Sequence, residues 1–140
     1  MPALLDTSLV RYLTDDPPHL AEAARAVIRE VADLAITGVA IAEVAYVLDS
    51  VYRLPRAEIV DSLVEFLVQD NIDTFRLDRA AVIEGLLKCR ESRRVVIADA
   101  LIWAAARTGG SLTVYTFDGR FPTEGIDVLL LSRGDANHGA

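Results

Sequence analysis

Short apolar runs separated by helical patterns recur along the whole chain, and this alternation limits the fold more than any single motif does. Residues 3–5 (ALL), 34–37 (LAIT), 72–77 (IDTFRL), 112–117 (LTVYTF) and 127–131 (DVLLL) read as strands. Helical segments are expected near 7–13, 17–31, 39–52, 55–69, 78–91 and 96–107. Pro17-Pro18 open the second of these, Gly38 reads as a turn before the third, and Asp78 is placed to cap the fifth. Gly109-Gly110 stop the sixth. Strands that alternate with helices predict an α/β fold with a parallel sheet covered on both faces. Sites in such sheets form just beyond the carboxyl ends of the strands. Asp6 and Asp118 both stand there, after the first and fourth strands. If those strands are neighbours, the two carboxylates share one rim.

At 140 residues and 52% apolar content, the chain is long and apolar enough for one packed domain, expected over 1–133, with a frayed tail at 134–140. No apolar run approaches the roughly 18 residues of a membrane span. The start MPALLDTS lacks the basic and apolar regions of a leader, so a cytoplasmic protein is expected. Cys89 has no second cysteine to pair with, and one thiol with two histidines cannot build a Cys/His zinc site. The net charge of −7 argues against a broad phosphate-binding surface. It leaves room for a local one. Only Lys88 among the 14 basic residues is a lysine; Arg90, Arg93 and Arg94 cluster, and Arg120 follows Asp118 by two positions. Such a cluster is either a solvated face or one side of a phosphate groove.

Four acids need an explanation, because carboxylates are costly to bury. Glu43 lies in the helical run VAIAEVAYVL, flanked at i±3 and i±4 by Val39, Ala40, Tyr46 and Val47. Asp99 opens an apolar helix and is flanked by Val95, Val96, Ile102 and Trp103. Asp6 follows the first strand and Asp118 follows LTVYTF. Each has an ordinary reading. Glu43 can reach water from a helix edge, Asp99 can cap a first turn, Asp6 can cap the next helix, and Asp118 can form an Asp-Gly turn. Thr7, Ser8 and Thr116 place hydroxyls nearby. One site explains all four together: a divalent cation held by oxygen ligands, which relieves both burial and mutual repulsion. Such an ion acidifies a bound water and neutralises a developing phosphodiester charge. Neither His19 nor His138 stands where a general base is needed, and no phosphate loop, nucleophile elbow or H-E-x-x-H pair occurs.

From Leu4 to about Leu131 the chain resembles the PIN-domain family, most closely the VapC-type toxins of toxin–antitoxin pairs. LLDTSLVRYLTDD is similar to the family's first acidic motif and carries Asp6; AIAEVAYVL resembles its helical Glu motif and carries Glu43. IADALIWAAA resembles the third motif, with Asp99, and TFDGRF followed by GIDVLLL the fourth, with Asp118 and the hydroxyl of Thr116. The resemblance implies a three-layer α/β/α sandwich with a mostly parallel sheet of about five strands. It implies a Mg²⁺- or Mn²⁺-dependent endoribonuclease acting on structured RNA such as tRNA or rRNA. It also implies a homodimer and a VapB-type antitoxin that sets a basic side chain among the acids. Asp6, Glu43, Asp99 and Asp118 would form the metal site, with Thr7, Thr116 and Arg120 in support.

The chain departs from the family at three places. Ser8 stands where many relatives have Asn, and Val96 where many carry a further Asp, which weakens the case for two metals. Arg120 stands where an acid or another polar residue is frequent. Two rivals follow. One is a non-catalytic PIN-like module whose acidic pocket binds a basic partner. The other is a small-molecule phosphohydrolase of flavodoxin-like fold, which would need a phosphate-gripping loop that the chain lacks.

Overall fold

The computed structural model describes residues 2–92, 94–110 and 112–131; Arg93 and the tail expected at 134–140 lie outside them. The elements run β1 (Ala3–Leu5), α1 (Leu9–Thr14), α2 (Pro18–Glu30), β2 (Leu34–Ile36), α3 (Gly38–Ser50) and α4 (Arg56–Leu67). They continue with β3 (Ile72–Thr74), α5 (Arg79–Glu91), α6 (Ile97–Thr108), β4 (Thr113–Thr116) and β5 (Asp127–Leu130). Every expected strand and helix is present, with local corrections. Gly38 is the first residue of α3 rather than a turn, and Thr37 caps that helix by accepting from the Ala40 N–H at 3.1 Å. Strand β3 ends early because Arg76 adopts a positive φ of 60° that turns the chain. Asp78 precedes α5 as expected but makes no side-chain cap; its own N–H donates to Thr108 Oγ1 at 2.8 Å.

Strands β1, β2 and β3 form a parallel sheet in that order, with Leu5 opposite Ile36 and Ile36 opposite Thr74. Strands β4 and β5 form a second, two-stranded parallel sheet, with Thr116 opposite Leu130. All pairings are parallel, so the chain is α/β as its pattern predicts. The expected single sheet of about five strands is divided. Strand β4 bonds β5 along one edge and packs on α6, and no ladder joins it to β1.

The core surrounds β2, whose three residues are all buried. Ile41, Val44 and Leu48 of α3, Leu63 and Phe66 of α4, and Leu86 of α5 close over it. Helix α6 packs on α5 at a close approach, because a Cβ on Gly85 would lie 2.9 Å from the Ala100 carbonyl oxygen. Cys89 is enclosed in the same layer, and burial pushes its thiol up to about 11, which leaves it protonated and inert. No helix among the described residues is long and apolar enough to cross a membrane.

Candidate active site

The site grows from the ends of α6 and β4. Asp99 sits in the first turn of α6, partly buried, where the helix N-terminus favours its charged form. Burial outweighs that help. Desolvation raises the Asp99 carboxyl above its ordinary value of 3.8, and the charge of Asp118 raises it further, while Arg120 opposes both. Asp99 and Asp118, 19 positions apart in sequence, are therefore within electrostatic reach of each other.

Asp118 is held by its own turn. Its Oδ1 accepts the Arg120 backbone N–H at 2.8 Å and the Arg120 Nε–H at 3.1 Å. Thr116 Oγ1 accepts the Asp118 N–H at 3.0 Å. These bonds to Arg120 hold the Asp118 carboxyl below its ordinary range. The Asp-Gly turn expected from sequence is thus present, and the Thr116 hydroxyl bonds the backbone of that turn rather than the carboxylate. The run before it is less buried than its composition suggests: Tyr115 is 65% exposed and Phe117 is 71% exposed. Asp118 therefore stands beside solvent, not against the core, and keeps 33% of its side-chain surface.

The loop beyond Asp118 is pinned to the helices. Phe121 is buried, Trp103 Nε1–H donates to the Glu124 carbonyl at 3.0 Å, and the Lys88 ammonium meets the Glu124 carboxylate at 3.3 Å. Sequence reading takes Trp103 only as a piece of an apolar helix. Its indole N–H is what ties the Asp118 loop to α6, and only the fold reveals that partner.

The other two acids lie differently. Asp6 is exposed at the end of β1 and accepts the Ser8 N–H at 2.8 Å, so it caps the turn into α1. Hydrogen bonding from the Ser8 side chain and backbone holds its carboxyl below the ordinary value. Thr7 is exposed beside it. Glu43 is exposed on α3, and two of the apolar neighbours that make it conspicuous in sequence are themselves open to solvent: Val39 is 82% and Tyr46 61% exposed, while Ala40 is buried. Its helical stripe is real, but among the described residues nothing covers it at those two positions.

The divalent ion implied by the resemblance can be tested against this geometry. The chemistry fits. Two carboxylates whose charges oppose each other are oxygen donors suited to Mg²⁺ or Mn²⁺, and Mg²⁺ is often held by one or two carboxylates with waters completing the shell. The number is smaller than the four acids expected. Among the described residues no group of three or more His, Cys, Asp or Glu side chains stands close enough to hold a metal. The divided sheet accounts for Asp6, since no ladder sets the end of β1 beside the end of β4. Arg120 meanwhile supplies a positive partner to the pair, as a guanidinium does for clustered carboxylates.

No curated protein and no solved structure gives a significant match to the chain. The PIN-domain family model matches residues 3–123, a span that runs from β1 past β4 and includes Asp6, Glu43, Asp99 and Asp118. PIN domains are generally nucleases and typically use divalent metal ions. With a match over most of its length and a fold of alternating helices and parallel strands, the chain belongs to the PIN-domain family.

Proposed function

We propose that this chain is a toxin-type endoribonuclease that hydrolyses phosphodiester bonds in structured RNA, tRNA or rRNA, with Mg²⁺ or Mn²⁺. The observation that supports it is that Asp99, at the start of α6, and Asp118, just after β4, come within reach of each other's charge. In this reading Asp99 and Asp118 hold the cation, and the family resemblance adds Asp6 as a further ligand and Glu43 as a ligand or as the group that orients the attacking water. When bound, such an ion acidifies a water and offsets the charge that develops on the phosphodiester. The chain's own groups do the remaining work. Thr116 fixes the turn that aims Asp118, Trp103 anchors the loop behind it, and Arg120 balances the pair when no substrate is present. The protein acts in the cytoplasm as a homodimer. A cognate VapB-type antitoxin silences it by offering a basic side chain to the acids, the role Arg120 plays within the chain.

Purified protein should cleave tRNA or rRNA with Mn²⁺ or Mg²⁺ and stop when EDTA is added. Asp99→Asn and Asp118→Asn should each lower the rate by at least about a hundredfold, with unchanged circular dichroism. Full activity in either variant would sink the assignment. The same series with Asp6→Asn and Glu43→Gln tells a two-carboxylate centre from a four-carboxylate one. A second reading, a non-catalytic module that captures a basic partner segment, draws on the lack of a third carboxylate near the pair among the described residues. Calorimetric titration separates the two, since a pure binding module takes up no Mn²⁺.

A further inference from the structure

We infer that the cleft between the C-terminal end of α5, the loop into α6 and the loop after β4 grips the RNA backbone beside the acidic pair, with Arg94 and Arg120 as its phosphate-binding cations. The inference rests on the nuclease reading for its substrate; of its two cations, Arg120 also touches the acidic pair and Arg94 does not. The cleft encloses about 400 Å³, and its lining includes Lys88, Ser92, Arg94, Arg120 and Glu124. That is ample for a phosphodiester group.

The charges in it are not equivalent. Glu124, the one carboxylate of the lining, is taken by Lys88 at 3.3 Å, and Lys88 also lies 5.0 Å from the centre of the Trp103 ring. Those two charges neutralise each other within the lining of the cleft. Arg90, nearby in sequence, is held by both oxygens of Asp61 at 2.8 and 3.0 Å. Arg94 is exposed, and among the described residues no carboxylate lies within ion-pair distance of it. Its backbone N–H donates to Ser92 Oγ at 3.2 Å, which shapes the loop that presents it. Arg120 lines the same cleft; among its described side-chain bonds only the Nε–H is taken by Asp118 and the side chain stays 64% exposed, so cleft and acidic pair share a wall. A chain of net charge −7 repels a polyanion over most of its surface. Its affinity for RNA must then come from a local concentration of cations. Guanidinium groups suit that task, because their planar fork matches phosphate oxygens.

The test is RNA binding without metal, so that catalysis plays no part. A labelled single-stranded RNA oligonucleotide is titrated in EDTA over a range of salt and followed by fluorescence anisotropy. Arg94→Gln should weaken binding about fivefold to tenfold at low salt and flatten the slope of log affinity against log salt by about 0.7. Arg120→Gln should do the same, and Arg94→Lys should keep the slope. Arg29→Gln, an exposed change on α2, should alter neither quantity. Arg94 carries no side-chain bond within the described fold, so its variant keeps the wild-type melting temperature. Unchanged affinity and slope in Arg94→Gln overturn the inference, as does wild-type protein that binds no RNA. Orthophosphate at matched ionic strength is the second arm: if Arg94→Gln loses phosphate binding but not RNA binding, the cleft serves a free anion and the inference fails. If the binding series holds while no metal supports cleavage, the nuclease reading fails and the cleft survives.

Discussion

The central strand of the first sheet and the two strands of the second have opposite surroundings. Strand β2 (LAI) is buried at every position and is paired on one side by β1 and on the other by β3. Strands β4 (TVYT) and β5 (DVLL) are also largely apolar along one face, yet none of their residues is buried. Only Val114, Ile126 and Val128 of that region lean on the core, with Phe121 fully inserted. Two-stranded ribbons are marginal alone, so the second sheet depends on anchors: the β4–β5 ladder, the Trp103–Glu124 bond and the Lys88–Glu124 pair. The contrast teaches that an apolar run gives a strand its conformation, whereas burial depends on what the rest of the chain can lay over it. The half of the molecule that provides stability is thus distinct from the half that carries Asp118.

Core substitution should separate the two sheets most. Ile36→Ala, in the fully enclosed strand, should cost about 2–5 kcal/mol in denaturant unfolding. Gly85→Ala comes next, at about 1–3 kcal/mol, because the new methyl meets the Ala100 carbonyl of α6. It should also lower RNA cleavage, since the helix that must shift carries Asp99, and a loss of stability with full activity would show the site to be independent of that contact. Charge removal at the site should have a smaller effect of the opposite sign. The raised Asp99 carboxyl penalises the folded state once pH climbs past its ordinary value of 3.8, and the penalty stays constant above the folded value. Asp99→Asn should therefore raise the melting temperature by about 1–2 °C at neutral pH and by nothing in acid. Asp118, whose carboxyl is lowered, works the other way: its contribution is present above the ordinary value and is lost as pH falls through the folded one. The smallest effect belongs to Tyr115→Ala, expected within about 0.5 kcal/mol because that side chain is largely in water. A cost equal to that of Ile36→Ala would mean that β4 is covered in solution, and the contrast between the sheets would collapse.

Much of the fold is legible in the chain. The prolines before α2, the glycines after α6 and the alternation of periods place the elements to within a few residues. The Asp-Gly turn, the hydroxyl at Thr116 and the partly buried Asp99 are equally readable, because each depends on neighbours within one turn. Glu43 shows where such reading stops. Its stripe of Val39, Ala40, Tyr46 and Val47 divides between buried and exposed positions, since a helical period marks a face without saying what meets it. Asp6 and Asp118 show the same at longer range: both follow strands, but their meeting depends on a β1–β4 ladder that the described sheets lack.

By itself, then, the sequence determined the local conformations, the α/β class and the family, because periodicity, caps and turn residues act over a few positions. Tertiary structure alone decided that Asp99 and Asp118 come within reach of each other's charge and that Arg94 lines the same cleft as Arg120. Those relations come from packing between elements distant in the chain. Which side chains face each other there is settled by how surfaces fill space, and no local pattern encodes it.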